Sequence, residues 1–194
     1  MWCSVCEVQS SSKSGRIRLV DGVKIFSARC FDVPVIARFV HALKYESIVD
    51  VALIGARWMQ LNFETITQQA KFKKIILIPV PLHKRRLNHR GFNQAELIAH
   101  ALCVAQSASE IFVETDVLLR TRNTAPQAGA TEKQRTKQLK GAFQVVRNVD
   151  PDAVYVIIDD VITTGSTVGE CVRAMRQAGA RNLCALTIAS TSEN

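Results

Sequence analysis

The chain has no apolar run approaching the roughly 18–20 residues that a bilayer-crossing helix needs. Its start, Met1-Trp2-Cys3-Ser4-Val5-Cys6, lacks the basic-then-apolar layout of a secretory leader. The expectation is a soluble, cytoplasmic protein. Acidic residues are scarce beside basic ones. With 17 Asp and Glu against 25 Lys and Arg, the formal net charge is +8, which suits an anionic partner: a phosphate-rich small molecule or a nucleic acid. Aromatics make up only 6%, and Phe92 alone stands near the basic stretch 84–90, so no base-stacking platform is evident. No internal repeat is present. Six cysteines could suggest disulfides, but their setting argues against a disulfide framework. Cys103, Cys171 and Cys184 fall inside apolar-patterned segments, where thiols act as small buried hydrophobes. What the chain does have is 47% hydrophobic against 22% charged residues in 194, enough for one domain with a real core and incompatible with wholesale disorder.

The pattern alternates strands and helices. Residues 7–16 are Ser-rich and polar and read as a connector. Asp32-Val33-Pro34 opens a helix whose Val35, Ile36, Phe39, Val40 and Leu43 share a face, and a second helix is expected from Val49 to about Asn62. Lys74-Ile75-Ile76-Leu77-Ile78-Pro79-Val80 has the continuous apolarity of a strand buried on both faces. A very basic turn follows, then a helix from about Asn93, with Glu96 at capping-box spacing. Val117-Leu118-Leu119 reads as a short strand, and Arg120 to Lys140 as a long polar loop holding at most a helical turn. Ala153 to Ile158 is a second buried strand, Thr167 to about Gly179 a helix, and Leu183 to Ala189 a last strand. This order predicts an α/β fold with a mostly parallel central sheet flanked by helices.

The most informative segment is Val156-Ile157-Ile158-Asp159-Asp160-Val161-Ile162-Thr163-Thr164-Gly165-Ser166-Thr167. It runs from apolar strand through two acids to a hydroxyl- and glycine-bearing turn and a helix. Ligands of open α/β sheets bind at the carboxyl ends of strands. The turn Thr163–Thr167 offers backbone N–H groups and hydroxyls at a helix N-terminus, a setting for a monophosphate. Two carboxylates just before it would repel phosphate but accept hydrogen bonds from sugar hydroxyls. A ribose 5-phosphate fits this order of groups. The loop lacks the Lys of a Walker A motif, so it is a poor ATP-binding P-loop.

This segment resembles the signature of type I phosphoribosyltransferases that bind 5-phosphoribosyl 1-diphosphate (PRPP). Further pieces occur in an order similar to the ComF/GntX family: Lys44-Tyr45, Ile78-Pro79-Val80-Pro81-Leu82-His83, Arg90-Gly91-Phe92-Asn93-Gln94, Thr124-x-x-Gln127 with Arg135, and Gly141-Ala142-Phe143. The resemblance covers about residues 24–190. It implies a type I phosphoribosyltransferase fold over residues 24–194, behind an N-terminal CxxC segment over residues 1–23 that would be the remnant of a zinc ribbon. It further implies a glycosyltransferase acting on PRPP with Mg²⁺, linked to DNA uptake in natural transformation.

Residue by residue, the resemblance assigns the ribose to Asp159 and Asp160, and the 5-phosphate to Val161, Thr163, Thr164, Gly165, Ser166 and Thr167. Val80, Pro81, Leu82, His83 and Lys84 would cradle the pyrophosphate, with Arg85, Arg86 and Arg90 adding charge. Arg135, on a loop that closes over the ligand, would be a catalytic anion contact. Gln138 stands where the family usually has Asn. Lys44 and Tyr45 receive no chemistry, and Asn93 is equally well explained as a helix cap. Cys3-x-x-Cys6 has the spacing of half a zinc ribbon, but structural zinc takes four ligands and no second CxxC follows. Either the ribbon is truncated, a partner chain completes it, or no Zn²⁺ binds. The charge of +8 and the basic stretches 84–90 and 120–140 motivate a second reading: a non-catalytic accessory protein that binds single-stranded DNA or the DNA-uptake machinery on the same fold.

Overall fold

The computed structural model describes residues 15–45, 49–70, 73–106, 110–124 and 132–191. Its centre is a six-stranded sheet built from β1 (Arg16–Val20), β2 (Val23–Cys30), β3 (Ile75–Pro79), β4 (Ile111–Val113), β7 (Val154–Ile162) and β8 (Asn182–Ser190). The spatial order is β1-β2-β8-β7-β3-β4. All neighbours pair in parallel except β1 and β2, which form an antiparallel hairpin at the edge. A separate two-stranded ribbon joins β5 (Leu118–Arg120) to β6 (Phe143–Val145). The expected α/β architecture, with a mostly parallel sheet flanked by helices, is therefore present.

Helices cover both faces, as a parallel sheet requires. On one face lie α1 (Pro34–Tyr45), α2 (Val49–Ala70) and α4 (Gln94–Val104), whose Phe39, Met59, Phe63, Ile98 and Leu102 pack with Leu77, Val156, Ile158 and Leu186 of the sheet. On the other lies α6 (Ser166–Gln177), whose Val168, Cys171, Val172 and Met175 pack with Ile25, Ile76, Ile78, Tyr155 and Ile157. Successive strand residues thus alternate between two cores. In β7, the even-numbered Val156 and Ile158 face α1 and α2, and the odd-numbered Tyr155 and Ile157 face α6.

Several elements differ from the sequence expectation. The connector placed over residues 7–16 runs into β1 at Arg16. The alternation Arg16-Ile17-Arg18-Leu19 was masked by its charges, although Asp21-Gly22 between valines is a hairpin signal. Both turn residues have positive φ, 49° at Asp21 and 71° at Gly22, as a tight two-residue hairpin of this type demands. The expected boundary between residues 23 and 24 falls within β2 (Val23–Cys30), and β1 before it belongs to the sheet. Helix α2 does not stop at Asn62 but continues to Ala70, because Phe63, Ile66 and Ala70 extend its buried stripe by two turns. The basic turn after β3 is a helix, α3 (Lys84–Arg90), and the long loop over Arg120–Lys140 contains α5 (Glu132–Leu139). Strand β7 ends at Ile162 rather than Ile158, so its two acids lie inside the strand.

Leu77 is wholly buried in the central part of the sheet. Leu77→Ala is expected to destabilise the fold by about 2–5 kcal/mol, the cost of lost transfer energy and a residual cavity, read as a lower midpoint in urea unfolding. A loss well below 1 kcal/mol would mean that this strand is not in the core.

Candidate functional site

A cavity of about 280 Å³ opens at the carboxyl end of β7. Its floor is Asp159 and the segment Val161–Thr167, its far wall Gln138 and Leu139 of α5, and its rim Arg86 of α3 with Arg120 and Thr124 at the end of β5. The sequence expectation that Asp159, Val161, Thr163, Thr164, Gly165, Ser166 and Thr167 lie together is met at this cavity.

The acid pair splits. Strand alternation places Asp159 on the α6 side, where it lines the cavity, and Asp160 on the α1 side, away from it. Asp160 meets Lys44 Nζ of α1 at 3.0 Å. The contact is an ion pair rather than an aligned hydrogen bond, since Oδ2 has no donor in line; its other oxygen accepts the Val161 N–H at 2.8 Å. Lys44, given no chemistry from sequence, therefore neutralises the second acid. Among the described residues no cation lies within ion-pair distance of Asp159, which accepts the Asp160 N–H at 2.9 Å. Burial, then the neighbouring charge of Asp160, push its carboxyl well above the ordinary carboxylate range, and Lys44 only partly opposes them.

Positive charge comes from two guanidinium groups. Arg86 is the third residue of α3, a helix capped at its start by His83 Nδ1 accepting the Arg85 N–H at 3.3 Å and closed by Gly91 at φ 83°. Arg120 lies over the Phe143 ring at 5.5 Å and donates through Nη2 to the Thr124 hydroxyl and, at 3.3 Å, to the Thr124 carbonyl. Its Nε is buried without a hydrogen-bond partner. Burial first, and the charge of Arg86 second, lower the Arg120 pKa, while Asp159 raises it. Two guanidinium groups facing one cavity, that of Arg120 partly desolvated, form a setting suited to an anion.

The phosphate-loop geometry fits the same chemistry. Gly165 adopts φ 81° as the N-cap of α6 and supplies no side-chain cap, while the first amide of the helix, that of Ser166, donates to the Thr164 hydroxyl at 3.4 Å. The Thr164 and Ser166 hydroxyls hydrogen-bond to each other at 2.8 Å. Glu170 on α6 accepts the Gly141 N–H at 2.8 Å and is gripped by Arg173 at 2.7 Å. Burial raises its carboxyl, yet those hydrogen bonds outweigh the burial and hold it below its usual range. The turn after α5 is thereby tied to α6.

Of the other residues named from sequence, Val80, Pro81, Leu82, His83 and Lys84 do not line this cavity. They run from β3 into α3, with Val80 and Pro81 buried and Lys84 exposed. Asn93 both caps α4, accepting the Ala95 N–H at 3.1 Å, and donates to the Val80 carbonyl at 3.2 Å, so it tethers this loop. Arg135 falls within α5, but its side chain, like Gln127, Cys3 and Cys6, lies outside the described residues. Arg120 is the residue that sequence reasoning missed. Its signal was a cation at the end of a short apolar strand, directly after Leu118-Leu119. Among the described residues, no three His, Cys, Asp or Glu side chains gather to hold a metal ion, and Cys30, Cys103, Cys171 and Cys184 form no disulfide with one another. Burial pushes Cys184 up to about 12 and Cys171 well above its usual range, so neither is a nucleophile near neutrality. No described helix is long and apolar enough to cross a membrane.

No protein-family model matches the chain. Individual curated proteins do. Competence protein F of Haemophilus influenzae is 35% identical over 137 residues, 70% of this chain and 58% of that protein. The DNA utilization protein YhgH of Escherichia coli K12 is 31% identical over 151 residues, 76% of this chain and 63% of its own length. Competence protein ComFC of Bacillus subtilis is 30% identical over 109 residues, 55% of this chain and 40% of the relative. The chain thus spans about three fifths of the length of the first two.

The raised Asp159 carboxyl has a thermodynamic consequence. A buried acid whose folded pKa exceeds its unfolded value binds its proton more tightly in the folded state, so stability falls as pH rises through the interval between the two. Asp159→Asn is therefore expected to melt higher than wild type at pH 7, by ~2–4 °C for each kcal/mol relieved. The gap closes as the pH approaches about 4. A variant less stable than wild type at neutral pH would contradict this.

Proposed function

Because the chain belongs to the ComF family, we propose that it binds PRPP at the cavity below α6 and serves DNA uptake. The observation that carries the reading is the convergence, in one 280 Å³ cavity, of the Thr163–Thr167 loop, a lone buried carboxylate and two guanidinium groups. These are the three chemistries of a phosphate, a sugar diol and a diphosphate, in the order in which PRPP presents them. In this reading the loop amides take the 5-phosphate, Asp159 accepts the ribose hydroxyls, and Arg86 and Arg120 face the pyrophosphate. Asp160 supports the ribose site indirectly, by fixing Lys44 and the strand end.

The donor set fits a magnesium ion that arrives with its ligand. With no three-ligand protein cluster among the described residues, Mg²⁺ would take most of its oxygens from the diphosphate and water, with Asp159 as the nearby carboxylate. When bound, it supplies charge neutralisation on the leaving diphosphate. Zn²⁺ bears only on Cys3 and Cys6, which lie outside the described residues. The reaction such a site supports is attack of a nitrogen nucleophile on the anomeric carbon. The new C–N bond replaces the C–O bond, pyrophosphate leaves with the bonding electrons, and the nucleophile loses its proton. Asp159 favours the positive charge that develops on the ribose, and the arginines favour the negative charge on the leaving group, so rate comes from positioning and electrostatics.

A second reading, direct DNA binding by an accessory role of the same fold, is favoured by α3. None of its residues is buried, and it presents Lys84, Arg85 and His89 outward. If this surface contacts nucleic acid, single-stranded DNA affinity falls steeply with salt, and Lys84→Glu with Arg85→Glu weakens it and lowers the salt slope by about 2. Salt-independent binding would remove this reading.

Calorimetric titration tests the first reading. PRPP with Mg²⁺ is expected to bind in the micromolar range. Asp159→Asn with Asp160→Asn is expected to abolish that binding, and Arg120→Met to weaken it by roughly tenfold or more. Unchanged affinity in the folded double variant would overturn the assignment.

A further inference from the structure

The β1–β2 hairpin reaches across from the sheet edge and grips the phosphate loop at several points. Arg18 Nη1 donates to the Thr163 carbonyl at 2.7 Å, across 145 positions of sequence. Val20 packs so closely on Gly165 that a Cβ there would lie 2.8 Å from its Cγ2. At the turn, Asp21 Oδ2 sits 2.7 Å from where a Cβ on Gly169 of α6 would be, and Arg176 Nη1 donates to the Asp21 carbonyl at 2.6 Å. Gly165 and Gly169 thus let the hairpin approach the loop and α6 closely, Gly165 against Val20 and Gly169 against the Asp21 carboxylate. No residue of β1 lines the main cavity.

We infer that the hairpin, through Arg18, is the positioning device of the phosphate loop, and that Arg18 is a positioning residue for the 5-phosphate. The argument is one of peptide geometry and rests on the reading that the loop takes that phosphate. In a trans peptide the C=O and the following N–H point in opposite directions. With the Thr163 carbonyl held on the hairpin side, the Thr164 N–H is turned to the opposite side, where the cavity lies. A free peptide here could flip and direct its carbonyl oxygen at the phosphate, exchanging a donor for a repulsive acceptor. Arg18 fixes one orientation and offsets the partial negative charge of that carbonyl. Val20 and Asp21 set its distance from α6.

Titration of the full chain with ribose 5-phosphate and, separately, with pyrophosphate reads this inference. Arg18→Met is expected to weaken ribose 5-phosphate by about tenfold while pyrophosphate, held by Arg86 and Arg120, stays within about twofold. Arg176→Met keeps the Arg18 charge but removes the donor to the Asp21 carbonyl that ties the hairpin turn to α6, and is expected to give the same selective loss; it carries the test should Arg18→Met fail to fold. Unchanged ribose 5-phosphate affinity in these variants, or an equal loss of both ligands, overturns the inference while leaving the PRPP reading standing. A wild-type protein that binds no ribose 5-phosphate overturns both.

Discussion

Strand β7 is buried on both faces over most of its length, yet ends by carrying two adjacent carboxylates into that buried setting. Two neighbouring charges on a strand cannot share one environment, because alternation sends them to opposite faces. The rest of the site follows from how each is compensated. Asp160 turns toward α1, where Lys44 waits at the end of the helix. Asp159 turns toward α6 with a backbone N–H as its direct partner and two arginines across a cavity. Removing Lys44 would leave a nearly buried charge without a countercharge, the costly case among ion pairs. The first helix, silent in any catalytic scheme, therefore holds the strand end in register.

The cavity is held in a costly state. Asp159 is disfavoured as an anion by burial and by Asp160, while Arg120 is disfavoured as a cation by burial and by Arg86. Each carries unsatisfied capacity: the carboxylate can accept hydroxyl protons, and Arg120 Nε has no partner. A ligand with a diol at one end and an anion at the other relieves both. Stability is given up at such a site in exchange for binding, which is why substitution of the acid is expected to strengthen the fold.

Much of this was legible in the chain. The apolar runs around Ile75–Pro79 and Val154–Ile158, followed by polar turns, identify the two central strands and the edge at which ligands bind. The order Asp159-Asp160 to Thr167 singles out the functional segment, and Asp159, Val161 and Thr163–Thr167, all named from sequence, line the cavity. Three features were hidden for physical reasons. Periodicity identifies α1 but not what the lysine at its end will meet, so the role of Lys44 depended on knowing which face Asp160 takes. Arg120 reaches the site only through the β5–β6 ribbon, a pairing of three-residue strands too short to leave a pattern. Strand β1 hid its alternation under arginines. One of those arginines, Arg18, donates to a loop carbonyl 145 residues away.

The central claim is that one cavity holds two separate anion sites bridged by a carboxylate. Competition calorimetry tests it most directly, using ribose 5-phosphate, pyrophosphate with Mg²⁺, and PRPP on the full chain. The account predicts that the two halves bind at the same time, each scarcely affecting the other, and that PRPP displaces both. Mutual exclusion of the two halves, or PRPP binding that displaces only one, would contradict it.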